Sequence, residues 1–198
     1  MMDNRPTGAE TGSGGCMVAV VGPSGAGKDT LMAYAARFFE GRDDVVFARR
    51  IITRDAAAGG EDHEGVSEAE FQALEKAGRF AVSWGAHGLS YGIPVETKEA
   101  IAQGRLVVAN GSRSALSRFK AAYPRLLVIN VTASREVLAA RLESRGRETR
   151  EEILRRLERS SLSVEGDYQV ITIDNSGAIE TGGGAMVEVL REYTTTGR

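Results

Sequence analysis

Residues 16–30 read CMVAVVGPSGAGKDT, and this stretch decides the fold. Cys16 to Val21 is an unbroken apolar run closed by Gly22, the pattern of a strand covered on both faces of a parallel sheet. From Lys28 to Phe39 apolar residues recur at helical spacing and Gly41 supplies a stop, so a helix follows directly. The link, Gly22-Pro23-Ser24-Gly25-Ala26-Gly27-Lys28, has the spacing of a phosphate-binding loop in the strand-loop-helix context that this motif requires. Its glycines let successive N–H groups converge on phosphate oxygens, the helix N-terminus adds positive potential, and Lys28 reaches the outer phosphates. One position departs from the pattern: the Ser or Thr whose hydroxyl ligates Mg²⁺ is replaced by Asp29, followed by Thr30. Three readings stand there. Asp29 holds the metal through a water, Thr30 takes the hydroxyl's role, or Asp29 is only an acid favoured by the helix dipole. In each case ATP and Mg²⁺ are expected together, because a triphosphate without a metal leaves the transferring charge uncompensated.

Outward from this stretch, RLVVAN (105–110), RLLVINV (125–131) and YQVITID (168–174) are further buried strands, and VVFARRII (45–52) is another candidate. Helices are predicted over 67–77, 95–103, 113–122, 134–144, 149–162 and 178–193. Strand-helix alternation argues for a three-layer α/β domain with a parallel sheet of about five strands. Residues 49–93 break the rhythm with glycines, polar residues and one short helix, which predicts an insertion at the carboxyl ends of the strands, where such sheets bind ligands. Segment 1–15 is polar and glycine-rich and is expected to be a flexible tail, with residues 16–198 forming a single domain.

Composition narrows the function classes. The 198 residues are 42% apolar and 26% charged, values that exclude collagen-like, disordered and disulfide-stapled chains. A net charge of -2 gives no basic excess for DNA, RNA or anionic lipid, so neither nucleic acid nor a membrane is expected as a partner. The single cysteine, Cys16, and the lack of a long apolar segment point to the cytoplasm. Of the 25 basic residues only Lys28, Lys76, Lys98 and Lys120 are lysines. The arginine surplus reflects either bidentate phosphate recognition or a codon preference.

Ile52-Thr53-Arg54, Trp84, Gly88-Leu89-Ser90-Tyr91-Gly92, Arg141-Leu142-Glu143-Ser144-Arg145-Gly146 and Arg155-Arg156-Leu157 resemble, in order and approximate spacing, the guanylate kinase family across about residues 16–176. Motifs specific for GTPases and transporter ATPases are absent. GPSGAGKDT (22–30), Arg50 through Gly59, LSYG (89–92) and NGSR (110–113) resemble the branch of that family formed by ribose 1,5-bisphosphate phosphokinases. The resemblance implies a P-loop nucleoside-monophosphate-kinase-like fold with an acceptor-binding insertion and a short arginine-rich lid at about 141–150. It also implies transfer of the γ-phosphoryl group of ATP to the 1-phosphate of ribose 1,5-bisphosphate, giving 5-phosphoribosyl 1-diphosphate and ADP, in phosphonate breakdown.

Departures from guanylate kinases bear on the acceptor. The second arginine of the TTR-x-x-R segment falls on Ala57, the stretch from Glu61 to Phe71 is about four residues shorter and lacks the family's Tyr, and the Glu before the Trp is Ser83. Loss of that carboxylate removes an acceptor for guanine's N–H donors, and a site built to hydrogen-bond a base discriminates strongly. The acid expected at the next strand end is Asn110, while Asp29 has appeared on the loop, as if the metal-side charge had moved. For a doubly phosphorylated acceptor the expected ligands are Arg50, Arg54 and Arg113, with Arg49 close by and Ser83, Tyr91 and Asn110 lining the site. In the resembled kinases lid arginines close over the transferred group, a role that falls here on Arg145 and Arg156, with Arg141 a further candidate. Asn175, in the pair Asp174-Asn175, is expected either to contact the nucleotide or to form an Asx turn. Trp84 either floors the sugar site or packs in the core. His63 and His87 are read as loop residues, and no base strong enough to activate an alcohol is evident, which suits an acceptor that is already a phosphate. Two other readings remain: a nucleoside monophosphate kinase acting on GMP, and a guanylate-kinase-like binding module without catalysis.

Overall fold

Five parallel strands form the central sheet of the computed structural model, which describes residues 14–55, 62–144 and 164–195. In chain order the strands are β1 (Cys16–Val21), β2 (Val45–Phe47), β7 (Leu106–Asn110), β8 (Leu126–Thr132) and β9 (Gln169–Asp174), and their spatial order is β2-β7-β1-β8-β9. Alternate residues of β1 feed two cores, as expected of a strand buried on both faces. Val18 and Val20 face helix α1 (Lys28–Phe38) and helix α6 (Ile179–Thr195), together with Leu31, Met186 and Leu190. Met17, Ala19 and Val21 face Phe119 of α4 (Leu116–Ala122) and Trp84. Helices α3 (Glu96–Ala102) and α5 (Arg135–Glu143) complete the three layers among the described residues. The three-layer α/β architecture expected from the sequence is the one found.

The register aligns the carboxyl ends of the strands. Val20 pairs with Asn110, Val21 with Asn130, and Thr132 with Asp174. The phosphate loop, Asn110 and Asn175 therefore emerge along one edge.

The segment 45–52 is two strands, not one. Ala48 N–H still donates to the Val108 carbonyl at 2.8 Å, after which the chain leaves the central sheet. It enters a second sheet of order β4-β3-β6-β5, formed by β3 (Arg50–Ile52), β4 (His63–Gly65), β5 (Phe80–Ala86) and β6 (Leu89–Pro94). The insertion thus carries four strands as well as the expected helix, α2 (Glu68–Lys76). Ser67 and Glu70 close a reciprocal capping box at the start of α2, and these bonds hold the Glu70 carboxyl below its ordinary range. His87 and Gly88, with φ of 52° and 74°, form the two-residue hairpin turn between β5 and β6, where Ala86 pairs with Leu89. The predicted helix over 149–162 lies outside the described residues. The expected tail boundary shifts slightly: Gly15 N–H donates to the Ile101 carbonyl at 3.2 Å and Arg125 donates to the Gly14 carbonyl, so both glycines are tied to the domain. No helix of the described residues is long and apolar enough to cross a membrane.

Candidate active site

The loop from Gly22 to Lys28 curls around its own backbone. Gly22 and Gly27 adopt φ of 148° and 88°, and a Cβ at either would overlap a neighbour, the Val131 carbonyl oxygen and the Asn175 amide respectively. Only glycine fits both demands. Gly27 occupies the N-cap of α1 and no side chain caps the helix, so the first-turn amides are left for an anion. Lys28 Nζ lies over the same space, donating to the carbonyls of Gly22 at 3.1 Å and Pro23 at 3.3 Å. Pro23, Ser24, Gly25 and Ala26 form the rest of the cradle, with Ala26 N–H closing a turn onto the Pro23 carbonyl at 3.2 Å.

Asp29 and Asn110 meet beside the cradle. Asn110 Nδ2 donates to Asp29 Oδ1 at 2.5 Å, across 81 positions of sequence. The acid missing at the end of β7 and the acid gained on the loop therefore belong to one spot. Consecutive helical residues point about 100° apart; Asp29 and Thr30 are both exposed, and it is the Asp29 carboxylate that accepts from Asn110. The structure thus brings Asp29, and not Thr30, against the strand end. An anionic oxygen beside a triphosphate cradle is a donor suited to a hard cation such as Mg²⁺.

Asn175 is placed differently from the expectation of a nucleotide contact. Its side chain is 4% exposed, and Nδ2 donates to the Ala26 carbonyl at 2.7 Å, beneath the loop. Arg141 joins it there: Nη2 donates to the Asn175 carbonyl at 2.9 Å, and Nη1 lies 3.4 Å from the carbonyls of Gly25 and Ala26. Both residues buttress the cradle from below. Asp174 Oδ1 accepts from the Ser176 amide at 3.0 Å, so the Asx turn is also present. Arg145 and Arg156 lie outside the described residues.

On the acceptor side, Arg50 is 8% exposed and its guanidinium sits over the rings of Tyr91 and Trp84, 5.0 and 5.8 Å from their centroids. The two rings are themselves stacked, 5.4 Å apart and 8° from parallel. Trp84, 6% exposed and tilted against Phe119, is a core residue in this arrangement. Arg54 Nη2 approaches His63 Nδ1 at 3.3 Å, and among the described residues its buried Nε makes no hydrogen bond. Arg49 is drawn away by an exposed ion pair with Asp62 at 3.0 Å. Arg113 opens a 3-10 turn, Arg113–Ala115, directly after β7, and burial pushes its guanidinium below the ordinary arginine value.

Ser83 is not the bare position that its sequence suggests. Its hydroxyl donates to Glu75 Oε1 at 2.6 Å and its carbonyl accepts from Arg118 at 2.5 Å. The cavity there, about 390 Å³, is lined by Glu68, Gln72, Glu75, Ser90 and Arg118 among others. The carboxylate absent at position 83 is thus supplied from α2. Sequence reasoning missed Glu68, Glu75 and Arg118, which have no motif, and it missed His63, which is buried on β4 and not in a loop. His87 is exposed at the hairpin tip, as expected.

A guanylate kinase family model matches residues 15–191. The chain is 64% identical over 176 residues, 89% of each protein, to ribose 1,5-bisphosphate phosphokinase PhnN of Rhizobium etli. It is 58% identical to the protein of the same name from Agrobacterium fabrum, covering 89% of this chain and 96% of that one. The crystal structure of guanylate kinase from Anaplasma phagocytophilum superposes with a TM-score of 0.64 at 20% identity, covering 91% of this chain and 87% of the other, a likeness of fold. The chain belongs to the guanylate kinase family and, within it, to the ribose 1,5-bisphosphate phosphokinases.

Proposed function

We propose that this protein catalyses ATP-dependent phosphorylation of the 1-phosphate of ribose 1,5-bisphosphate, yielding 5-phosphoribosyl 1-diphosphate and ADP, within phosphonate breakdown. The observation that carries the reading is the 64% identity over 89% of both chains to a protein of that name, in a chain whose phosphate cradle is intact. The geometry supports it in three ways. Gly22 to Lys28 receive the phosphates of ATP, with the loop amides and Lys28 Nζ stabilising charge on the transferring group. Arg50, Arg54 and Arg113 supply cations for an acceptor that carries two phosphates, and Tyr91 helps to position Arg50. An acceptor phosphate oxygen needs no strong general base, and the buried His63 is held on Arg54.

Asp29, oriented by Asn110, is the residue we assign to the metal. Asp29 would hold Mg²⁺ there, and the metal would supply positive charge against the outer phosphates. Arg145 and Arg156 are assigned to the lid. Arg141 and Asn175 hold the loop in shape. We place the reaction in the cytoplasm, in keeping with a lone buried thiol, Cys16. A coupled assay of ADP release tests the reading with three conditions: ribose 1,5-bisphosphate, GMP, and no acceptor. Turnover with ribose 1,5-bisphosphate is expected. Turnover with GMP alone would point to a nucleotide kinase, and none with either acceptor to a binding module.

A further inference from the structure

His63 is 2% exposed, yet it is a polar, titratable side chain on a three-residue strand. Both of its ring nitrogens face Arg54. Nδ1 faces Arg54 Nη2 at 3.3 Å, and Nε2 faces the Arg54 carbonyl at 3.4 Å. A guanidinium has no lone pair to offer, so Nδ1 must accept; a carbonyl only accepts, so Nε2 must carry the proton. The two bonds define one neutral tautomer.

The surroundings make neutrality consequential. Arg50 pairs with His63 in the β3–β4 register, and Arg49 Nη2 donates to the His63 carbonyl at 3.0 Å. The Arg54 guanidinium faces the imidazole and the Arg49 guanidinium faces the His63 carbonyl, with Asp62 and Glu64 on either side of His63 in sequence. A carboxylate at 63 would grip Arg54 more firmly but cancel its positive charge. A neutral imidazole fixes the guanidinium and leaves the charge intact. Arg54 Nε, buried and making no hydrogen bond among the described residues, is then a donor for an anionic oxygen.

We infer that His63 is a positioning residue for acceptor binding, acting through Arg54: its Nε2–H tautomer locks the arginine so that an unspent N–H and an undiminished charge face an acceptor phosphate. This rests on the reading of Arg54 as an acceptor ligand. Loss of a hydrogen bond to a charged group predicts that His63→Leu raises KM for ribose 1,5-bisphosphate roughly 10- to 100-fold and leaves KM for ATP within about twofold. His63→Asn, whose Oδ1 stands near the place of Nδ1, restores most of the loss.

The experiment is a double-mutant cycle on the full chain with ribose 1,5-bisphosphate as the acceptor. In an Arg54→Ala background, His63→Leu should add no further increase in acceptor KM. An equal increase in both backgrounds overturns the proposal. An Arg54→Ala variant with unchanged acceptor KM overturns the acceptor reading of Arg54 and the proposal with it, and is told apart because the first arm already fails. A ¹⁵N spectrum gives a readout independent of activity and of the stability of the leucine variant. With His87→Gln to remove the only other histidine, the His63 signals should show the Nε2–H tautomer, and Arg54→Ala should shift Nδ1. An Nδ1–H tautomer would sink the proposal, since that nitrogen then has nothing to accept with.

Discussion

Replacement of Asn175 by alanine separates two roles for this residue, a strut under the phosphate loop or a contact to the nucleotide. Its Nδ2 is the short partner of the Ala26 carbonyl, at 2.7 Å, while Arg141 reaches the same oxygen only at 3.4 Å. Truncation leaves that buried carbonyl with a poor donor, a loss of about 1–3 kcal/mol. For a chain of this size each kcal/mol moves the melting temperature by about 2–4 °C, so a loss near 2 kcal/mol predicts a fall of about 4–8 °C. The loosened loop also presents its amides less accurately. A misplacement on the order of 1 Å costs up to about 100-fold in rate, so kcat/KM for ATP should drop by roughly 10- to 100-fold. The assay pairs thermal melting with ATP titration at saturating acceptor. A strut predicts that both change together. A large loss of ATP affinity with the melting temperature held within about a degree would refute the reasoning, because only a direct contact to the nucleotide gives that pattern.

Three further outcomes follow from the same geometry. Lys28→Ala should lower turnover by at least about 100- to 1,000-fold while the melting temperature stays near that of the parent, because Lys28 Nζ leans on two loop carbonyls that are only partly buried; retained turnover would remove the cradle from the reaction. Asp29→Asn should raise the Mg²⁺ concentration needed for half-maximal activity, and full Mg²⁺-dependent activity in Asp29→Ser would end the assignment of the metal to this carboxylate. Tyr123 gives a pH dependence of stability. Thr97 Oγ1 donates its one proton to the Pro94 carbonyl at 2.6 Å, so Tyr123 must be the donor in its 2.7 Å bond to Thr97, and burial pushes its phenol up to about 12. The folded state therefore holds this proton after the unfolded chain has released it near 10, and stability is fully present below pH 10 and lost as pH rises toward 12. The loss is about 2–3 kcal/mol, and Tyr123→Phe should flatten that part of a denaturant-midpoint profile between pH 9 and 12.

The central sheet was legible because its strands obey a rule that sequence carries locally. Residues of β1, β7 and β8 are buried on both faces and read as continuous apolar runs. The second sheet follows no such rule. Its strands β3 and β4 have three residues each, and β4 is His-Glu-Gly, a composition that reads as loop. Strand β5 alternates Val82 and Trp84 toward the core with Ser83 and Gly85 toward the α2 cavity, so apolar periodicity is interrupted by polar and glycine positions that have their own use. A local signal did exist there. His87-Gly88, set between two alternating segments, is a two-residue turn of the kind that joins hairpin strands.

At the site, legibility divides between backbone and partnership. The phosphate loop was readable because its function depends on glycine positions and a following helix, all within a dozen residues. The pairings that tune it were not: Asn110 with Asp29, Asn175 with Ala26, Arg54 with His63, and Glu75 with Ser83 join residues from different elements. Two of these pairs show why substitution at a motif position misleads when taken alone. A carboxylate missing from the end of β7 had not left the site, because Asp29 brings it back within 2.5 Å of Asn110. A carboxylate missing from position 83 had not left either, because Glu75 stands 2.6 Å from the serine that replaced it. The charge available to a ligand is a property of a volume, not of an alignment column. Ser83 therefore does not by itself argue against a purine acceptor, and the argument for a sugar bisphosphate rests instead on the relatives and on the basic side of the cleft. There an imidazole, and not a carboxylate, holds the Arg54 guanidinium, so the contact that fixes the arginine does not cancel its charge.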